Sequence, residues 1–118
     1  MVLNLTRERS QPALCPFCRG PVPRPEPLSD GLWYEFDGGL CPTCGAHYAH
    51  DPTARNGGAV MLQAMVQACD GDWDAALEMA PGEDYDEAVL SHYDGQHHRL
   101  AERAFGSLYF IRRKPARR

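Results

Sequence analysis

Apolar and polar positions change their period twice along this chain. Leu32, Tyr34 and Phe36 alternate with Trp33, Glu35 and Asp37, a period of two that predicts a strand closed by an Asp-Gly turn. Ala46 to His50 is the expected partner strand. From Ala59 to Cys69 the period lengthens: Met61, Met65 and Cys69, with Val60, Leu62 and Val66, fall at three- and four-residue spacings, the stripe of an amphipathic helix. Asp72 is placed to cap a short second helix through Ala80, with Trp73, Ala76, Leu77 and Ala80 inward and Pro81-Gly82 as the stop. Glu83 and Asp84 suit the positive end of a third helix over 83–93, and a fourth is expected from about Gln96 to Ala104. Ser107 to Arg112, aromatic and β-branched, predicts a last strand.

Proline and glycine mark the connections. Prolines at 21, 23, 25 and 27 fix φ and remove backbone donors, so that stretch reads as extended polyproline. The turn-rich run from Asp51 to Gly58 separates two parts. These patterns give an α+β chain: a flexible lead-in over 1–13, a small antiparallel sheet in 14–52, a mainly helical part over 58–112 and a basic tail at 113–118.

Composition adds an uneven charge. The 118 residues carry a net charge of −4. Residues 59–98 contain 9 acidic and no basic groups, whereas residues 99–118 contain 7 basic and 1 acidic. Opposite blocks of this size either attract within the fold or face different partners. The uncharged stretch over 57–69 is 13 residues, too short for a membrane span. No apolar run at the start resembles a secretory signal, so a cytoplasmic protein is expected.

The chemistry concentrates in cysteine. Cys15-Pro-Phe-Cys18 and Cys41-Pro-Thr-Cys44 repeat one pattern 22 residues apart. A C-x2-C turn offers two thiolates on one side, and two such turns complete the tetrahedron that Zn²⁺ prefers. Proline presets each turn, and Gly20 and Gly45 supply conformational freedom after it. Two disulfides suit an oxidising compartment and leave Cys69 unpaired, and an iron–sulfur cluster would use the same four thiolates. Haem attachment requires histidine after the second cysteine, where Arg19 and Gly45 stand. Neither cysteine pair opens the helix of a thioredoxin-like motif.

On these two knuckles the chain resembles the zinc-ribbon family over about residues 14–50. Arg19 stands where that family more usually has glycine. The resemblance implies two knuckles joined through a small antiparallel sheet, with Cys15, Cys18, Cys41 and Cys44 as ligands of one structural Zn²⁺. Four thiolates leave no open position for water, so hydrolysis at the metal is not expected. His47 and His50 read as strand side chains, and Cys69 as a core thiol.

Elsewhere, Glu83, Asp84, Asp86, Glu87, His92, Asp94, His97 and His98 could in principle build a second metal or acid–base site. No HExxH or calcium-loop spacing organises them, and a solvated acidic helix is the expectation. The overall expectation is a non-enzymatic adaptor that binds a protein partner through Trp33, Tyr34, Trp73, Tyr85 and Tyr93. The alternative is a nucleic-acid binder using Arg112, Arg113, Lys114, Arg117 and Arg118 with Tyr109 and Phe110.

Overall fold

Residues 10–28 and 34–115 are described by the computed structural model. Their elements run β1 (Gln11–Pro12), β2 (Gly38–Leu40), β3 (His47–Asp51), α1 (Gly57–Ala68), α2 (Trp73–Glu78), β4 (Tyr85–Asp94), β5 (Arg99–Leu100) and β6 (Gly106–Arg113). All six strands join one sheet in the order β1-β5-β4-β6-β3-β2, each neighbour antiparallel. No helix among the described residues is long and apolar enough to cross a membrane.

The sheet is organised around β6. Its residues 106–111 are buried almost without interruption because the strand is central and covered on both faces. Leu108 and Phe110 project to one layer, where they meet Tyr48, Tyr93, Ala46, Ala13, Val22, Cys15 and Cys41. Tyr109 and Ile111 project to the other, where Val60, Ala64 and Ala68 of α1 pack on Ala49 and Tyr85. α1 forms where the apolar period predicts it, although Val60, Ala64 and Ala68 line its buried side with Gln63 and Gln67, and Met61 and Met65 lie only partly buried. Asp72 caps α2 as expected, its carboxylate accepting from the Ala75 N–H at 3.1 Å. That helix ends at Glu78 and buries Ala76, leaving Leu77 63% exposed.

The expected helical C-terminal part is overturned. Where a third helix is expected over 83–93 the chain forms β4 at Tyr85–Asp94, and 96–104 hold a turn and the short β5 instead of a fourth helix. The chain is therefore dominated by an antiparallel sheet with two helices among its described residues. The physical reason is pairing. Tyr85 to Ser91 form an unbroken antiparallel register with Arg113 to Ser107, and this ladder outweighs the local preference of Glu, Ala and Leu for a helix. In that register Asp86 faces Arg112, with carboxylate and guanidinium 3.5 Å apart, and the Lys114 ammonium lies 3.6 Å from the same carboxylate. The acidic middle and basic end thus meet within the fold.

The N-terminal elements shift as well. The strand expected over 32–37 gives way to β2 at Gly38–Leu40, while Leu32 and Trp33 lie outside the described residues. Residues 1–9 and 116–118 also lie outside them. The described end of the expected lead-in is structured: Gln11 and Pro12 pair with Leu100 and Arg99, and Ala13 is buried. β3 of the first part pairs with β6 of the second over five residues.

Candidate metal centre

Each cysteine pair sits on a knuckle with the same backbone hydrogen bonds. In the first, Arg19 N–H donates to the Cys15 carbonyl and Cys15 N–H to the Gly20 carbonyl, both at 2.8 Å. In the second, Gly45 N–H donates to the Cys41 carbonyl at 2.9 Å and Cys41 N–H to the Ala46 carbonyl at 2.8 Å. Both turns place their fifth residue in the left-handed region, Arg19 at φ 68° and Gly45 at φ 83°. Arg19 itself therefore adopts the conformation that the sequence reading assigned to Gly20. Gly20 serves closeness: a Cβ there would stand 2.8 Å from Thr43 Oγ1 on the opposite knuckle.

The four Sγ atoms lie within 4.8 Å of one another. Across the two knuckles, Cys15 and Cys44 are 3.7 Å apart and Cys18 and Cys41 are 3.6 Å apart. A tetrahedral site with Zn–S near ~2.3 Å places its sulfurs about 3.8 Å apart. These cysteines are thus positioned to bind one metal ion. They are free thiols, so the two disulfides considered from the sequence are not formed. Phe17 N–H points at Cys15 Sγ and Gly20 N–H at Cys18 Sγ, each at 3.4 Å, contacts that favour thiolate.

Electrostatics favours a cation at the centre. Burial pushes the Cys15 thiol up to about 12. At Cys41 burial also opposes ionisation, but backbone N–H groups of Cys44 and Thr43 outweigh it and bring the thiol down to about 7. One thiolate is therefore favoured, and any further negative charge must form beside it. A divalent ion removes that conflict by neutralising the group as it binds.

No histidine or carboxylate joins the cluster among the described residues. His47 and His50 lie on β3, and burial lowers the pKa of both. Cys69 is buried at the end of α1, its Sγ 3.9 Å from Met79 Sδ. The acidic and histidine residues of 83–98 do not converge. Asp86 meets Arg112 and Lys114, Asp84 accepts from the Ala80 N–H, and Asp94 pairs with His97 at 2.8 Å. His92 Nδ1 lies 3.3 Å from the Ala104 carbonyl. His98 links Tyr93 Oη, 2.6 Å from its Nδ1, to the Val22 carbonyl, 2.7 Å from its Nε2. Of the aromatic residues expected as anchors, Tyr85 and Tyr93 are buried, Tyr34 is half-buried beside α2, and Trp73 is 38% exposed.

Three features that support the centre escaped the sequence reading. Phe17, between the first two cysteines, lies under the Arg112 guanidinium at 4.5 Å, which ties that knuckle to β6. Tyr48 donates its hydroxyl to the Pro23 carbonyl at 2.5 Å, fixing the proline stretch behind it. Gln67 donates to the Tyr48 carbonyl at 3.2 Å and accepts from Gln63, joining α1 to the strand beside the second knuckle. The four-residue spacing of Gln63 and Gln67 is the sole signal for them in the sequence. No known protein family matches the chain, and no curated protein or solved structure matches it.

Proposed function

We propose that the four cysteines hold one Zn²⁺ as a structural centre and that the protein is a non-enzymatic binding module of a reducing compartment, directed at a protein partner. The convergence of four thiols on one tetrahedron-sized space carries the metal assignment. Support for a protein partner comes from α2. Leu77 and Trp73 expose apolar surface there, with Asp70, Asp72, Asp74 and Glu78 all exposed around them. That surface fits a partner with apolar anchors among basic groups. Much of the basic surface is engaged internally: Arg24 Nη1 bonds the Gly95 carbonyl, Arg112 and Lys114 meet Asp86, and Lys114 Nζ bonds the Gly82 carbonyl at 2.6 Å. This weighs against the nucleic-acid alternative.

Elemental analysis of protein purified under reducing conditions tests the first part. The expected result is one zinc per chain with four thiols protected from alkylation, and a Cys41→Ser variant that loses the metal. Iron in place of zinc, or no metal, overturns it. Salt titration with single-stranded and duplex nucleic acid tests the second part. No binding at low salt is expected, and a steep salt-dependent affinity would transfer the assignment to nucleic acid.

A further inference from the structure

A cleft of about 540 Å³ opens beside the end of β3, between the 95–98 turn and the loop over 101–105. Its size falls within the ~300–1,000 Å³ common for small-molecule sites. Ala101, Ala104 and Phe105 give it apolar walls over the buried Tyr93, and Phe105 is 78% exposed at the rim.

His50 enters this cleft from β3. Its ring stands edge-on to Tyr93, centroids 5.0 Å apart at 87°. Two glycines make room for it. A Cβ at Gly95 would lie 2.8 Å from its Cε1, and one at Gly106 would lie 3.2 Å from its Nε2. Packing therefore fixes the imidazole, yet among the described residues neither ring nitrogen has a hydrogen-bond partner. Burial lowers its pKa, with Asp37 and Asp51 opposing the shift, so near pH 7 it offers one N–H donor and one acceptor.

Two charged side chains line the same space. The Asp94 carboxylate is committed to His97 Nδ1 at 2.8 Å and to the N–H groups of Gln96 and His97. Arg103 has no carboxylate partner among the described residues. The cleft thus combines an exposed aromatic rim with a positioned imidazole and a cation that have, among the described residues, no hydrogen-bond partner and no ion pair respectively.

We propose that this cleft binds a small planar aromatic acid, with its ring against Phe105, a polar ring atom on His50 and its carboxylate on Arg103. The site is independent of the metal assignment. The test uses the full, metal-loaded chain and NMR titration with quinoline-6-carboxylate, whose ring nitrogen can meet His50, and with quinoline-6-carboxamide as the uncharged probe. Saturable shifts are expected at the amides of 50–52, 93–96 and 101–106 and at the His50 ring. Arg103→Ala should weaken quinoline-6-carboxylate by about tenfold, the size of one charge-assisted contact, and leave quinoline-6-carboxamide unchanged. Phe105→Ala should weaken both probes. Both residues are exposed, so neither variant should disturb folding. Absence of saturable shifts at these positions up to about 10 mM, equal binding of the two probes, or indifference to both substitutions would overturn the proposal.

Discussion

The two layers that cover the sheet are built in opposite ways. On one face, α1 lays a regular helix across Ala49, Tyr85 and Ile111, and its backbone groups are satisfied within the helix. On the other, residues 13–25 cross as irregular chain with four prolines, which supply no N–H donors. Side chains bind the carbonyls there instead: Tyr48 holds Pro23 and His98 holds Val22. The residues that this cover buries are small, Ala13, Cys15, Val22 and Pro25, with Phe17 partly buried beside them. A helix with an apolar stripe holds itself in place by burial, whereas a short irregular cover needs a cross-link. The cysteine cluster joins that cover at Cys15 and Cys18 to the β2–β3 connection at Cys41 and Cys44.

On the proposed zinc assignment, the strongest way to break this contrast is to remove the metal. Structural zinc contributes ~10–16 kcal/mol of apparent binding free energy, comparable with the ~5–15 kcal/mol stability of a whole domain. Both layers share β3 and β6, so chelation should unfold α1 together with the knuckles. Circular dichroism at 222 nm, followed during zinc release, should fall in one transition. A helix signal that survived metal loss would mean that the helix-covered face folds alone.

A smaller perturbation can separate the layers, because adjacent residues of β6 point into different ones. Phe110→Ala, in the metal-side layer, should cost about 3–5 kcal/mol and accelerate metal release to a chelator. Ile111→Ala, in the helix-side layer, should cost about 2–5 kcal/mol with little change in metal release. Denaturant unfolding and release kinetics measure the two effects. Equal acceleration in both variants would make the layers one cooperative unit with respect to the metal.

The layers were also unequally legible in the sequence. The stripe from Val60 to Cys69 and the Asp72 cap are local signals, and α1 and α2 appear where those signals lie. The knuckles are equally local, since proline and paired cysteines set both turn and ligand. β4 was misread because Glu83, Asp84, Glu87 and Ala88 favour a helix locally, while the strand depends on β6, about twenty residues further on. The alternation of Ala88 and Leu90 with Glu87, Val89 and Ser91 was present, but the bulge between Ser91 and Tyr93, with His92 at φ 59°, breaks the period before Tyr93 reaches the core. Asp51 stood in a segment read as a break, yet it organises the path from β3 into α1.

Asp51 supplies the pH test of the helix-side connection. It is fully buried, and its carboxylate accepts from the N–H groups of Thr53, Ala54 and Asn56 and from the Thr53 hydroxyl, at 2.9–3.1 Å. Burial opposes its charge, but these bonds prevail and hold its pKa below the ordinary carboxylate value. A depressed folded-state pKa contributes stability in full above the unfolded value near ~4, and that contribution is lost as pH falls through it toward the folded value. Asp51→Asn should cost about 1.5–3 kcal/mol at neutral pH and less on acidification. The measurement is the gap between wild-type and variant unfolding midpoints from pH 6 to about 3. A gap constant across that range would rule out a role for the charge.

The smallest effect compares the two knuckles with each other. They share hydrogen bonds and a left-handed fifth residue, but that residue is Arg19 in one and Gly45 in the other. A side chain in this region costs roughly 1–2 kcal/mol, while glycine loses about 0.5–1 kcal/mol more conformational freedom on folding. The difference favours glycine slightly, so Arg19→Gly should raise stability by up to about 1 kcal/mol and Gly45→Arg should lower it by a similar amount. Arg19 is exposed and has no ion pair among the described residues, so little contact energy is lost with it. Thermal unfolding of the metal-loaded variants measures the change. If Arg19→Gly destabilises instead, the arginine contributes an interaction at the first knuckle that the second lacks, and the equivalence of the two turns ends at their backbones.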